Sequence, residues 1–187
     1  MAIPALTERP WAELSPEAKR ARTLAVADEL FARKGVEVPM PALAEAIGVG
    51  VGSIYRQFGC KEDVLAALVI ARIEAVRARF EATAHADDPW EALREATLES
   101  VDSAARDHLA ARAWDLSARE DVQPVRRAAR VALARAVERA RAAGALRPDA
   151  TVDDLGLVLA VAKQADGLEP GGARRLAELA LRGLAAR

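Results

Sequence analysis

Between Gly50 and Lys61 the sequence GVGSIYRQFGCK gathers small, hydrogen-bonding and cationic side chains in one short stretch. Arg56 and Gln57 carry the planar donor and acceptor groups that pair with base edges in a DNA major groove. Ser53 and Tyr55 offer hydroxyls to phosphate oxygens, and Gly50 and Gly52 lack the side chains that would hold a helix off a duplex. Val51 offers apolar contact, for instance to a thymine methyl. Lys61 opens a further helix and can hold a phosphate with help from that helix's free N–H groups. The segment 47–61 contains Arg56 and Lys61 and no acid, so it is locally +2 within a block, residues 1–65, of eight basic and nine acidic residues.

Other chemistries find less support. No nucleophile–base pair or paired carboxylates are visible. Gly48, Gly50 and Gly52 are no phosphate loop, because no strand precedes them and the Lys-Ser/Thr pair is absent. Two His and one Cys are too few and too scattered for a zinc site, and no cofactor is expected. A helical enzyme and a helical protein-interaction module that does not meet DNA are the alternatives to a DNA-binding protein.

The polar stretch needs two short helices and a tight turn to hold it. Residues 39–58 read PMPALAEAIGVGVGSIYRQF, with Leu43, Ala44, Ile47, Val49, Ile54 and Phe58 apolar. Small Ala44 lets the second helix cross closely. Gly48 stands where a helix must stop with positive φ. Val49 plugs the angle between the helices. This is the form of a helix-turn-helix. An ordinary helical corner with Arg56 and Gln57 merely solvated is the plainer reading of the same pattern.

The 187-residue chain as a whole is 52% hydrophobic and 29% charged, enough to bury a core. It contains 45 Ala and only 4% aromatic residues, a composition that favours helices over strands. Prolines at 4, 10, 16, 39, 41, 89, 124, 148 and 170 bracket the candidate helices, since proline is expelled from helix interiors. The predicted elements are 16–34, 39–47, 51–58, 61–84, 89–107, 108–118, 123–143, 152–166 and 172–185, an all-α fold of about nine helices. Ser15 caps the first, Gly35 stops it, and Thr151 with Asp154 forms a capping box for the eighth. A net charge of −1 argues against a sequence-blind nucleic-acid binder. No apolar run is long enough to cross a bilayer. Glu8, the absence of an apolar signal region and the single Cys60 fit a reduced cytoplasmic setting.

The stretch from Thr23 to Leu68 resembles the DNA-binding domain of the tetracycline-repressor (TetR) family of bacterial transcription regulators. The match lies in Leu30-Phe31 with Gly35, Leu43-Ala44 to Val49, Gly52-Ser53-Ile54-Tyr55 with Phe58, and Lys61-Glu62 with Leu65. The resemblance implies a helix-turn-helix domain over 16–65, with its motif at 39–58, and a helical effector-binding and dimerisation domain over 66–187. It implies a homodimeric repressor, not an enzyme, released from a palindromic operator on double-stranded DNA by a small molecule. This chain has Gly50-Val51 where many members have Ser-Lys, and Cys60 where Ser is the common cap.

In the C-terminal part, Leu155–Ala162 (LGLVLAVA) carries no charge around two turns. A helix apolar on all sides is buried on all sides, and a partner subunit can supply one of them. Leu155, Val158, Leu159 and Ala162, with the stripe Leu176, Leu179, Ala180 and Gly183, are therefore expected in a four-helix dimer interface. Intrachain core is the alternative. Trp90, Thr97, Val101 and His108 follow helical spacing on one face, and Trp114 lies six residues further. Together they form a candidate effector pocket, apolar with a few polar groups, though each taken singly reads as core. The Arg-rich helix with Arg126, Arg127, Arg130, Arg135, Arg139 and Arg141 reads as a solvated face.

Overall fold

Capping side chains and glycines set where the helices begin and end. The computed structural model describes residues 10–109 and 115–186, apart from the side chains of 162 and 163. Ser15 Oγ accepts the Ala18 N–H at 3.2 Å and Pro16 follows, so α1 (Pro16–Lys34) starts there. Gly35, at φ 81°, ends it. Next come α2 (Met40–Ile47), α3 (Val51–Phe58) and the long α4 (Lys61–Ala82). Asp88 accepts the N–H groups of Trp90 and Glu91, at 3.0 and 2.9 Å, to open α5 (Pro89–Arg106). α6 spans Gln123–Ala142. Thr151 and Asp154 form the reciprocal capping box of α7 (Val152–Leu168). α8 covers Gly172–Leu184. A Cβ at Gly172 would collide with the Ala165 carbonyl, so only glycine lets α8 turn back this closely on α7.

Among the described residues the fold is all-α, with eight α-helices and no strand. One isolated antiparallel bridge, Leu146 to Ala185, ties the end of α8 to the loop after α6. The expected helix over 108–118 falls partly on residues 110–114, outside the described residues; Leu116–Ala118 is a 3₁₀ turn. α4 ends at Ala82, earlier than expected, because Thr83–His85 tighten into another 3₁₀ turn.

The chain divides into two units between Val69 and Ile70, inside α4. This lies past the boundary expected at 65/66, because Val64 through Val69 form one continuous buried run. In the first unit Ala27, Leu30 and Phe31 of α1, Leu43 and Ile47 of α2, and Ile54 and Phe58 of α3 are buried. In the second, Phe80, Leu93, Val101, Leu133, Val137, Leu155 and Leu181 form one apolar cluster. Alanines at 132, 136, 140, 173 and 177 join it, and their small side chains let the helices approach closely. Buried Thr97 and Ser100 each donate to the carbonyl four residues back, at 2.7 Å.

The arginine row on α6 is not uniformly solvated. Arg126, Arg127, Arg130 and Arg135 are exposed, but Arg139 and Arg141 are half-buried. Arg139 donates to the carbonyls of Thr83 and Ala86, and Arg141 to that of Ala150. Carbonyls at helix ends and turns lack intrahelical donors, and a long guanidinium supplies them.

Candidate nucleic-acid interface

The turn between α2 and α3 is set by Gly48. Its φ of 80° and ψ of 37° are left-handed, and its N–H bonds the carbonyls of Ala44 and Glu45 at 3.0 Å. The Val49 N–H also reaches the Ala44 carbonyl at 3.0 Å, which completes a Schellman closure. Gly50 then precedes α3 without a side-chain cap, so the free N–H groups at that end stay open to solvent or a ligand.

α3 is eight residues long and its faces divide cleanly. Ile54 and Phe58, one turn apart, are 0% and 5% exposed. Val51 at 39% and Tyr55 at 46% are exposed, and Gly50, Gly52 and Arg56 are exposed beside them. Ser53 is half-buried and its Oγ accepts a 3.3 Å hydrogen bond from Arg56 Nη2. Apart from that local contact, the outward face offers a hydroxyl-bearing aromatic, a guanidinium and a glycine gap.

Two of the expected contacts are already engaged within the protein. Gln57 is half-buried, and its Oε1 accepts from buried Thr23 Oγ1 at 2.8 Å. Lys61 Nζ lies 3.6 Å from Glu37 Oε2. Cys60 stands before α4, and the Asp63 carboxylate accepts both its N–H, at 3.2 Å, and its S–H, at 3.1 Å. Asp63 thus closes half a capping box. It also holds the thiol above its ordinary pKa, mainly through the S–H bond, so Cys60 stays protonated and weakly nucleophilic near neutrality. Sequence reasoning missed Thr23 and Arg20, which meet consecutive residues at the far end of α3. Arg20 stacks 4.4 Å from the Phe58 ring centre. The signal for Thr23 was available: it is the polar member of a stripe that continues through Ala27, Leu30 and Phe31.

Residues 24–68 match the model for bacterial regulatory proteins of the tetR family. Residues 88–186, more than half of the chain, match the C-terminal domain of SbtR-like transcriptional regulators. The chain belongs to the TetR family. A TetR-family transcriptional regulator from Pectobacterium atrosepticum is similar at 27% identity and TM-score 0.72, over 96% of this chain and 99% of that one. A TetR transcriptional regulator from Streptomyces coelicolor is similar at 28% identity and TM-score 0.64, over 89% and 98%. SmeT, the repressor of the Stenotrophomonas maltophilia multidrug efflux pump SmeDEF, shares the fold at 24% identity and TM-score 0.69, over 95% and 93%. No curated protein sequence matches. This TetR-family protein is a DNA-binding transcriptional regulator rather than an enzyme. Members of the family bind operator DNA, dimerise and take small-molecule effectors.

The second unit sorts its expected site residues less cleanly. Leu155 and Val158, at 1% and 8% exposure, lie in the intrachain cluster, and Leu159 and Ala180 pack against it. They serve this chain's own core because α7 turns that face toward α5 and α8. Leu176 is half-buried, Gly183 is exposed, and the side chain of Ala162 lies outside the described residues. Among the described residues, the large apolar side chains left uncovered on these helices are Leu157 at 65%, Leu168 at 90% and Leu179 at 57%.

Among the expected pocket residues, Val101 belongs to the same cluster and Trp90 packs against it. The Thr97 hydroxyl is satisfied by the Leu93 carbonyl. His108 is half-buried and Trp114 lies outside the described residues. Trp90 and His108 flank opposite ends of α5, roughly 25 Å apart at the helical rise, so one small ligand cannot touch both. Among the described residues no three His, Cys, Asp or Glu side chains gather as a metal site. No helix among them is long and apolar enough to cross a membrane.

Proposed function

We propose that the protein is a homodimeric repressor that binds a palindromic operator in the bacterial cytoplasm and leaves it when a small molecule binds. The carrying observation is the outward face of α3, where Val51, Tyr55 and Arg56 are exposed while Ile54 and Phe58 anchor the helix from behind. Helix-turn-helix proteins present such a face to the major groove, and a dimer repeats it about 34–36 Å away. One eight-residue helix reads few base pairs, so a second copy doubles the contacts and imposes the palindrome. Leu157, Leu168 and Leu179 are uncovered apolar side chains of the kind a twin subunit would bury. The SmeT likeness supports repression as the sign of regulation.

The effector cavity is proposed near the C-terminal end of α5, at Val101 and at His108 just beyond it. Trp90 and Thr97 belong to the same face closer to the start of the helix. Release follows from linkage: a ligand favouring a dimer with badly spaced recognition helices weakens DNA binding by the factor that DNA weakens ligand binding. α4, which carries Lys61 and runs across the division at Val69, is the lever in this scheme.

The experiment selects bound fragments from the source genome, reads the half-site spacing, and measures the best fragment by fluorescence anisotropy. Binding should weaken steeply with salt. Arg56→Ala should cost about 1–3 kcal/mol of operator affinity while leaving the unfolding temperature unchanged. Salt-independent binding, or an Arg56→Ala variant as tight as the parent, rejects the proposed face.

A further inference from the structure

We propose that Gln57 is a positioning residue and not a base reader, held by Thr23 so that α1 fixes the angle of the recognition helix. The inference rests on the reading of α3 as that helix. Thr23 is fully buried and Gln57 half-buried, and their side chains meet at 2.8 Å across 34 residues of sequence. The Thr23 hydroxyl also lies 3.0 Å from the Lys19 carbonyl. That carbonyl is satisfied by the Thr23 N–H of the helix ladder whether or not the hydroxyl also turns to it, so the single hydroxyl hydrogen can serve the nearer acceptor, Gln57 Oε1. Swinging Gln57 out to a base would break the 2.8 Å bond and turn the Thr23 hydroxyl back to the Lys19 carbonyl of its own helix, so the tie between α1 and α3 would be lost.

The place of the contact agrees. Helix-turn-helix proteins reach base edges with the N-terminal residues of the recognition helix. Gln57 is at the other end of α3, next to the last residue, Phe58. Phe58 is itself 5% exposed and covered by Arg20, one turn before Thr23 on α1. Two consecutive residues of α3 thus meet two residues three apart on α1, a two-point clamp on the end farthest from the groove. The exposed residues Val51, Gly52, Tyr55 and Arg56 are left to read the duplex. A rotation of α3 about its axis would break the 2.8 Å bond first, so the clamp sets the direction in which Arg56 points.

The test uses the full-length protein, its selected operator and a panel of single-base operator variants. Thr23→Val and Gln57→Ala should each weaken binding about five- to tenfold, the worth of one net hydrogen bond, and by the same factor across the panel. Thr23→Ser, which keeps the hydroxyl, should restore the parent affinity. The double variant Thr23→Val with Gln57→Ala should be no weaker than either single change, because both remove one contact. Arg56→Ala, the reader control, should instead flatten preference at one base pair. The proposal is overturned if Gln57→Ala flattens preference at a base pair, if Thr23→Val leaves affinity unchanged, or if the two losses add. Should Thr23→Val melt near the assay temperature, Gln57→Ala at its half-exposed position and the Thr23→Ser rescue decide alone. A parent protein with no salt-dependent operator affinity would reject the reading of α3 itself, a result distinct from all of these.

Discussion

α3 and α7 both carry side chains expected to meet a partner, and they use their side chains differently. α3 gives its own unit two inward positions, Ile54 and Phe58, and leaves most of the others on or near the surface. α7 commits Leu155 and Val158 to the core, packs Leu159 against it, and leaves Leu157 outside. A two-turn helix in a small motif needs few anchors, so residue type at the remaining positions reports function. A longer helix in a larger core meets neighbours on several sides, and apolar character alone does not say which neighbour covers which side.

The largest expected effect separates those two sides of the second unit. Leu155→Asp places an unpaired charge in the core and should prevent stable folding, seen as loss of a cooperative urea transition. Leu179→Asp, at a 57% exposed position, should keep the transition and instead shift sedimentation from dimer to monomer. A folded Leu155→Asp protein, or a Leu179→Asp protein that stays dimeric, would collapse the distinction between covered and uncovered positions.

Leu93→Ala comes next. Leu93 is 0% exposed within the second unit's cluster, and the change should cost about 3 kcal/mol in urea denaturation through lost burial and the cavity left behind. Operator affinity extrapolated to the folded fraction should not change, because Leu93 lies outside the first unit.

Gly48→Ala should cost less, about 1–2 kcal/mol, and the loss should appear in the first unit. The positive φ is the whole penalty, since an added Cβ meets nothing within 4 Å. Gly59→Ala should cost more than Gly48→Ala, because φ 75° with ψ −61° lies outside the left-handed well that Gly48 occupies, and its Cβ would also press Asp63 Oδ2 at 2.9 Å. Equal costs at the two sites would remove that steric reading.

The smallest effect is in acid. Hydrogen bonds from Arg119, Arg147 and Arg130 hold the carboxyls of Asp121, Asp149 and Asp153 below the ordinary carboxylate range. A carboxylate depressed in the folded state adds stability above its unfolded pKa and loses it as pH falls through the folded one. Urea midpoints should therefore be level from about pH 7 to about pH 5 and begin to fall only below about pH 4. Since all three pairs lie in the second unit, the first should show less of this decline. A midpoint that rises on acidification would contradict the assigned pairs.

Much of the first unit could be read without coordinates. Ser15, Gly35 and Gly48 act through local backbone chemistry, and each stands where a cap or a stop was expected. Ile54 and Phe58 follow the helical period. Gln57 shows where such reading stops. Its amide is chemically suited to adenine, and only the arrival of Thr23 from 34 residues away shows it engaged inside the protein. Arg139 and Arg141 make the same point on α6, where sequence reads a charged row and the fold finds carbonyls in need of donors.

The amino-acid order alone determined the helical class, the helix-turn-helix at 39–58 and the positive-φ turn at Gly48, because propensity, capping and glycine geometry act over a few residues. Which leucine of α7 faces inward, which arginine of α6 is tied down, and whether Gln57 is free were decided only by the tertiary structure. These depend on groups brought together from distant parts of the chain, and no short-range rule of spacing carries that information.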